Sequence, residues 1–302
     1  MNAFFYRLSG WTIGTDRALP FLVPVPPTPG PDIRIDFGGF DPSGPPGRIV
    51  GPFEIHGRNL VDLRPMPGIA IRIRDGRHMT VSAGDTASDA HLHTLLFGPA
   101  TAILAQQRGQ PALHASAVAF GETAIALAGH GGAGKSTTSQ ALLRRDGRLL
   151  TDDQLIVDPG VLLAYPSFPH AKLWSGSGAV LGIDVAGPPV APGVDKFQMS
   201  TADRFRAEPC RLGAIVILVP GDGAVEPGGE RLPVSRACPV LHRLVHYGEV
   251  GRAMGCDGTN LAWASGVARR VPVHLVRRSS DPARLESLLA SIAAIAERAA
   301  GA

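Results

Sequence analysis

The stretch GHGGAGKSTTS, Gly129–Ser139, constrains this chain more than any other. Gly129, Gly134, Lys135 and Ser136 fit the pattern Gly-x-x-x-x-Gly-Lys-Ser/Thr. In such a loop, backbone N–H groups form a concave nest for phosphate oxygens, and the helix that follows adds partial positive charge at its N-terminus. Gly129, Gly131, Gly132 and Gly134 leave the backbone open to close approach. Lys135 would reach the β- and γ-phosphates of ATP, and the Ser136 hydroxyl would hold Mg²⁺. Ala133 and Thr137 complete the cradle. His130 is read as an exposed, variable loop position.

A glycine loop of this kind needs a strand before it and a helix after it. The text supplies both. "LHASAVAF" reads as a short apolar strand, "GET" as a turn, and "AIALAG" as a second strand entering the loop. "KSTTSQALLRRDG" has helix character and stops at Gly147. "RLLTDDQLIVD" then reads as a strand ending on Asp152 and Asp153, followed by a turn at Pro159-Gly160 and a returning "VLLAYP". Adjacent side chains in a strand face opposite ways, so both acids can serve one site only where the strand has ended. One would then meet the Mg²⁺ shell and the other the incoming nucleophile. His114 interrupts the first strand. That strand should pair with the one feeding the loop, which would bring the imidazole to the phosphates; a buried structural histidine is the alternative.

Residues 1–107 read as a small β-rich module ending in a helix, and residues 108–302 as the phosphate-loop domain. The first fifty residues are rich in Pro and Gly, which implies loops or edge structure for some of them. "IAIRIRDGRHMTVSA" alternates around Asp75-Gly76, the signature of a hairpin. A helical pattern follows through Leu92, Leu95, Leu96, Ile103 and Leu104, with Gly98-Pro99 expected to kink it. "LGAIVILVP" at 212–220 should be a central strand. Residues 281–300 should form an amphipathic helix with Leu285, Leu288, Leu289, Ile292 and Ile295 inward.

The net charge of +3 is small and not gathered into runs, so neither nucleic acid nor a membrane surface is indicated as a partner. No apolar stretch approaches a bilayer span, and "MNAFFYRLSGW" has no secretory h-region. Three widely spaced cysteines suggest neither a disulfide framework nor a metal pair, so a cytoplasmic setting is expected. Of the 29 basic residues only three are lysine: Lys135, Lys172 and Lys196. In so arginine-rich a chain, a lysine can mark a place where a compact ammonium works and a planar guanidinium does not. Lys172 and Lys196 are therefore candidate phosphate or substrate contacts.

The set "LHASAVAF", "GHGGAGKST" and "RLLTDDQ" resembles the catalytic domain of HPr kinase/phosphorylase, which carries a His-containing strand, a phosphate loop and an Asp-Asp pair in this order. It is most similar to the short HPr-kinase-like proteins of lasso peptide and related ribosomal peptide clusters, over about residues 108–220. The resemblance implies an α/β fold with a phosphate-loop core and mixed sheet of the HPr kinase/phosphoenolpyruvate carboxykinase type. It implies an ATP- and Mg²⁺-dependent serine kinase. His114, Lys135 and Asp153 would be catalytic, Asp153 taking the serine proton. Asp152 would stand beside the metal with Ser136. The chain departs from HPr kinase at "AKLWSGS", where Lys172 stands in place of a Mg²⁺-binding Glu, and no catalytic Arg can be matched. The acceptor is expected on a peptide or small protein, with assembly into a homo-oligomer left open. Two alternatives stand beside this: an HPr-type carrier protein kinase or other phosphate-loop enzyme, and a nucleotide-binding module without turnover. Asp153 lies 17 positions after Ser136, closer than the single distant acid usual in other phosphate-loop enzymes.

Overall fold

In the computed structural model, residues 4–40, 45–84, 88–191, 193–221 and 229–301 are described. The chain is mixed α/β and divides into two compact units, residues 1–112 with 245–262, and residues 113–244 with 263–302. The return of 245–262 to the first unit differs from the simple division at 107/108.

The first unit is built on a nine-stranded mixed sheet. Its strands are β1 (Phe4–Leu8), β2 (Trp11–Thr15), β3 (Val23–Pro24), β4 (Ile33–Phe37), β5 (Arg48–Val50), β6 (Phe53–Ile55), β7 (Leu60–Met66), β8 (Ile69–Arg74) and β9 (His78–Ala83). Their order is β3-β1-β2-β4-β9-β8-β7-β6-β5. The proline-rich opening is thus more than loop or edge. Alternation buries Leu8 and Ile13 ahead of the first proline, Pro20, and Ile33 and Ile35 beyond Pro31, and β4 lies mid-sheet between parallel neighbours β2 and β9. The β8–β9 hairpin turns on Asp75 and Gly76, both at positive φ (55° and 62°), with Ile71, Ile73, Met79 and Val81 inside.

Helix α1 (Asp89–Leu95) runs through a π-helical turn at Leu96–Ala100 into α2 (Thr101–Gln107). The disturbance centres on Gly98, at φ −107° and ψ −105°, ahead of Pro99. Gln106 on α2 explains why a distant segment joins this unit. Its amide donates to the carbonyls of His246 and Tyr247 and accepts from Asn260 Nδ2 at 2.8 Å. A Cβ at Gly251 would collide with that amide, so only glycine lets the segment close on α2.

The second unit starts at the short strand β10 (Ala112–Leu113) and continues with β11 (Ala115–Phe120), β12 (Thr123–Ala128), α3 (Lys135–Leu143), β13 (Arg148–Thr151), β14 (Leu155–Asp158) and β15 (Leu163–Tyr165). A separate ribbon, β16 (His170–Trp174) with β17 (Lys196–Ser200), flanks the short helix α4 (Ser175–Leu181). Then come β18 (Cys210–Pro220), β19 (Glu230–Arg231) and α5 (Val234–Arg243); α6 (Gly248–Ala253) and the start of α7 (Asp257–Arg270) belong to the first unit, and the second resumes within α7 and ends with β20 (Val273–Arg278) and α8 (Leu285–Ala300). The sheet order is β10-β14-β15-β18-β12-β11-β13, with β20 also on β18. β12, β18 and β20 are parallel, so their C-terminal ends share one edge. That edge carries the glycine loop.

One face of this sheet presents Val118, Ile125, Leu127, Val216, Leu218 and Val276 to α3, to α8 and to Ala171 and Leu173 of the ribbon. The inward stripe expected for the last helix is Leu288, Leu289, Ile292 and Ile295, each 2% exposed or less, with Leu285 only partly covered. Burying each such side chain is worth about 1.5–3 kcal/mol. These contacts clamp the root of the glycine loop from below. All three cysteines are free thiols. Among the described residues no helix is long and apolar enough to cross a membrane.

Candidate functional site

The glycine loop occupies the turn from β12 into α3, as its pattern requires. Gly129 (φ 150°) backs onto the Leu218 carbonyl; an added Cβ would come within 2.7 Å of that oxygen. Gly134 (φ 88°) caps α3, and a Cβ there would come within 2.5 Å of Arg278 Nε. Gly129 therefore needs glycine twice over, for conformation and for room against backbone, and Gly134 needs it for its left-handed conformation. Gly132 is also left-handed, whereas a Cβ at Gly131 meets nothing within 4 Å. His130 is exposed, as expected, and Ala133 is buried under the loop.

Lys135 is 8% exposed, and its Nζ donates to the carbonyls of Gly129 (2.9 Å) and His130 (3.2 Å). Two of its three donors thus brace the loop, leaving one for a ligand. Burial pulls its pKa below the ordinary lysine value, and Lys196 adds to this; Asp153 and Asp152 pull it back. Ser136 is half-buried in the first turn of α3. Thr137 is buried, and its hydroxyl donates to Ser177 Oγ on α4 at 2.8 Å.

Strand β13 ends at Thr151, so the two acids leave the sheet as a turn and the condition for joint service is met. Their environments differ sharply. Asp152 is enclosed; its Oδ2 accepts the Lys172 N–H at 2.8 Å, and Ser116 Oγ donates to its carbonyl at 2.5 Å. Burial, then the Asp153 charge, push its carboxyl above the usual range. Asp153 is the accessible partner, its side chain 29% exposed. His114 Nδ1 lies 3.4 Å from its Oδ1, and Lys172 Nζ lies 3.2 Å from its Oδ2.

Pairing of Ala115 with Ala128 across β11 and β12 explains His114: one step further sets it beside Gly129. The pKa of its imidazole is lowered, chiefly by burial, with Asp153 opposing and Lys135 and Lys196 reinforcing the shift. It is accordingly neutral near pH 7.

The ribbon brings in the other two lysines. Lys172 pairs with Gln198, and Trp174 with Lys196. The period of two puts these four side chains on one face, while Ala171 and Leu173 enter the core behind. Lys196 Nζ lies 5.9 Å from the Trp174 ring centroid, and its charge is felt at His114, Lys135 and Asp152. All three lysines of the chain therefore converge here.

Three residues of this neighbourhood had gone unremarked in the sequence. Ser116 is a lone hydroxyl in an apolar strand and carried a faint signal. Trp174, 50% exposed beside Lys196, was readable only once the ribbon register was known. Arg278, one of 26 arginines, carried none. No protein-family model matches the chain, and no curated protein matches it.

Proposed function

We propose that this protein is an ATP-dependent serine kinase of the HPr-kinase-like type, with the phosphate-loop core of the HPr kinase/phosphoenolpyruvate carboxykinase fold. The supporting observation is the gathering of Lys135, His114, Asp153 and Lys172 around one loop at the C-terminal edge of three parallel strands. That set supplies a nest for phosphates, an accessible carboxylate and cations for developing charge.

In this reading Asp153 accepts the proton of a serine hydroxyl as its oxygen attacks the γ-phosphorus, and the bond to the β-phosphate oxygen breaks. Lys135 compensates charge on the transferring oxygens. His114, neutral and beside Gly129, orients Asp153. Lys172, where HPr kinase has a Glu, brings a positive charge to Asp153 in place of a metal ligand.

Mg²⁺ fits the donor set. A hydroxyl and carboxylates are hard oxygen ligands, and the enclosed Asp152 carboxyl lacks the full countercharge that a cation would bring. Ser136 and Asp152 would hold the ion, which neutralises polyphosphate charge when bound.

The acceptor proposed is a serine near the C-terminus of a ribosomally made precursor peptide of the lasso type, its terminal carboxylate met by Lys172 or Lys196. The first unit, which carries none of these groups, would recognise the peptide. The test is incubation with ATP, Mg²⁺ and intact or C-terminally truncated peptides, with HPr alongside. The expected result is a mass gain of one phosphoryl group on intact peptides alone. Phosphorylation of HPr and no peptide would reassign the chain to the carrier-protein kinases. ATP binding with no transfer to any acceptor would favour the binding module, a reading to which the ammonium on Asp153 lends weight.

A further inference from the structure

The indole of Trp174 has no part in the chemistry above, yet it stands open beside it. Trp174 is 50% exposed, while the chain's other two tryptophans, Trp11 and Trp263, are 5% and 4% exposed. Those two donate their Nε1–H groups, to Gln110 Oε1 and to the Val157 carbonyl. Trp174 ends β16 and is the N-cap of α4. The ribbon fixes its place relative to the acids. Lys172, two residues back on the same strand, meets both of them: its N–H donates to Asp152 Oδ2 at 2.8 Å, and its Nζ lies 3.2 Å from Asp153 Oδ2. Side chains two apart on a strand point the same way, about 7 Å from one another. The indole therefore stands one such step beyond the ammonium on Asp153.

The strand that carries the indole is held from several sides. Behind it, Ala171 and Leu173 enter the core. Beside it, the Gln198 N–H donates to the Pro188 carbonyl at 2.9 Å and the Val190 N–H to the Lys196 carbonyl at 2.8 Å, so the far edge of β17 is occupied. At its end the Ser175 hydroxyl donates to Asp195 Oδ2. An aromatic surface fixed in this way binds without first having to be ordered. The ammonium of Lys196, 5.9 Å from the ring centroid, lies within cation–π range and makes one side of the surface positive.

We infer that Trp174 is a specificity-determining residue: its ring receives a large apolar or aromatic side chain of the acceptor peptide, two positions before the phosphorylated serine. An extended peptide has the same period as the ribbon. With its serine hydroxyl at Asp153, the side chains two positions away point the same way, about 7 Å off, which matches the step from Lys172 to Trp174. The serine proposed lies near a C-terminus, so the residue two before it is one that every such peptide has. A tryptophan face suits the task because it offers a large contact area with few rotamers to fix. The inference rests on the peptide-kinase reading and adds to it a sequence preference.

The experiment uses short synthetic peptides ending in serine, with Phe, Leu, Ala or Asp two positions before it. Transfer from ATP is followed by mass. Binding is followed by acrylamide quenching of tryptophan fluorescence with a non-hydrolysable ATP analogue present, a signal dominated by Trp174 because Trp11 and Trp263 are buried. The expected result is a kcat/KM for the Phe and Leu peptides about tenfold or more above that for the Ala peptide, carried by KM, and shielding of the fluorescence by the Phe peptide. Trp174→Ala should bring the ratio to about twofold or less, and Trp174→Phe should restore most of it. No preference in the wild type, or a preference kept in Trp174→Ala, overturns the anchor and leaves the kinase standing. A preference for Asp overturns it too and gives the position to Lys196. In place of the change in ratio, a loss of ATP affinity in Trp174→Ala would assign the ring to the nucleotide, and a change in oligomeric state would assign it to a subunit contact; either overturns the anchor. Shielding by the Phe peptide with no transfer to any peptide keeps the anchor and overturns the kinase. Neither shielding nor transfer overturns both.

Discussion

Two buried aspartates, one in each unit, show opposite answers to the same electrostatic problem. Asp62 on β7 is fully buried, yet its carboxylate meets Arg72 through two hydrogen bonds of 2.8 Å and Arg64 through one of 3.1 Å. Burial alone would raise its pKa; the hydrogen bonds and charges of Arg72 and Arg64 outweigh that and hold it below the ordinary value. Asp152 is as enclosed, but a backbone N–H is its nearest donor and a second acid stands beside it, so its pKa is raised. The first arrangement is a closed ion-pair network suited to holding a sheet. The second leaves charge incompletely compensated, which costs stability and is characteristic of sites that bind or react.

The largest expected effect is on turnover. Lys135→Ala should abolish phosphoryl transfer while weakening ATP binding less, and Asp153→Asn should cut transfer by about 10²–10⁴-fold with ATP affinity nearly intact. Kinetics and binding measured on the same preparations check both. If Asp153→Asn lowers affinity and rate equally, Asp153 belongs to the metal shell and the base role passes to Asp152.

The next effect breaks the comparison directly. Asp62→Asn leaves two arginines without their carboxylate and should cost about 3 kcal/mol of unfolding free energy in urea titrations. A loss below about 1 kcal/mol would mean that the network contributes little. The matched change Asp152→Asn should keep stability within about 1 kcal/mol of wild type at pH 7, or raise it, because it removes an undercompensated buried charge. Equal destabilisation at the two positions would erase the distinction.

The smallest effects lie in pH dependence. The lowered pKa of Asp62 means that its contribution is fully present above about pH 3.8 and is lost as pH falls through the lowered value. The stability gap between wild type and Asp62→Asn should therefore narrow in acid. His170 behaves in the reverse sense of a salt-bridged histidine. Burial lowers its pKa, so its penalty is absent above about pH 6.5 and grows as pH falls below it. His170→Gln should flatten the stability profile between pH 7 and pH 5; an unchanged profile would place the titration elsewhere.

Much of this was legible in the chain. The Gly129–Ser139 pattern announced a strand, a loop and a helix because its glycines and lysine are tied to one backbone shape. Alternation at Ile71, Ile73, Met79 and Val81 announced a hairpin because neighbouring strand residues must face opposite sides. The scarcity of lysine pointed at Lys172 and Lys196. Proline density, by contrast, was a coarse guide over the first fifty residues, where short edge strands β3 and β5 and the mid-sheet strand β4 occur together. It measures where chain cannot be helical; β1 and β2 precede the first proline, Pro20, and β4 fits between Pro31 and Pro42.

What the sequence determined by itself were the local rules: periodicity, glycine where φ is positive, and an order of motifs along the chain. The tertiary structure alone decided the rest. Lys172 meets Asp153 because the β16–β17 ribbon folds back across 19 positions of sequence. Arg278 reaches Gly134 because β20 lies parallel to β18 and ends at the same edge. Residues 245–262 join the first unit because Gln106 needs partners for a buried amide. Each depends on groups far apart in the chain satisfying one another's charge or hydrogen bonds. No local pattern encodes such a pairing, because its energy exists only once both partners are buried together.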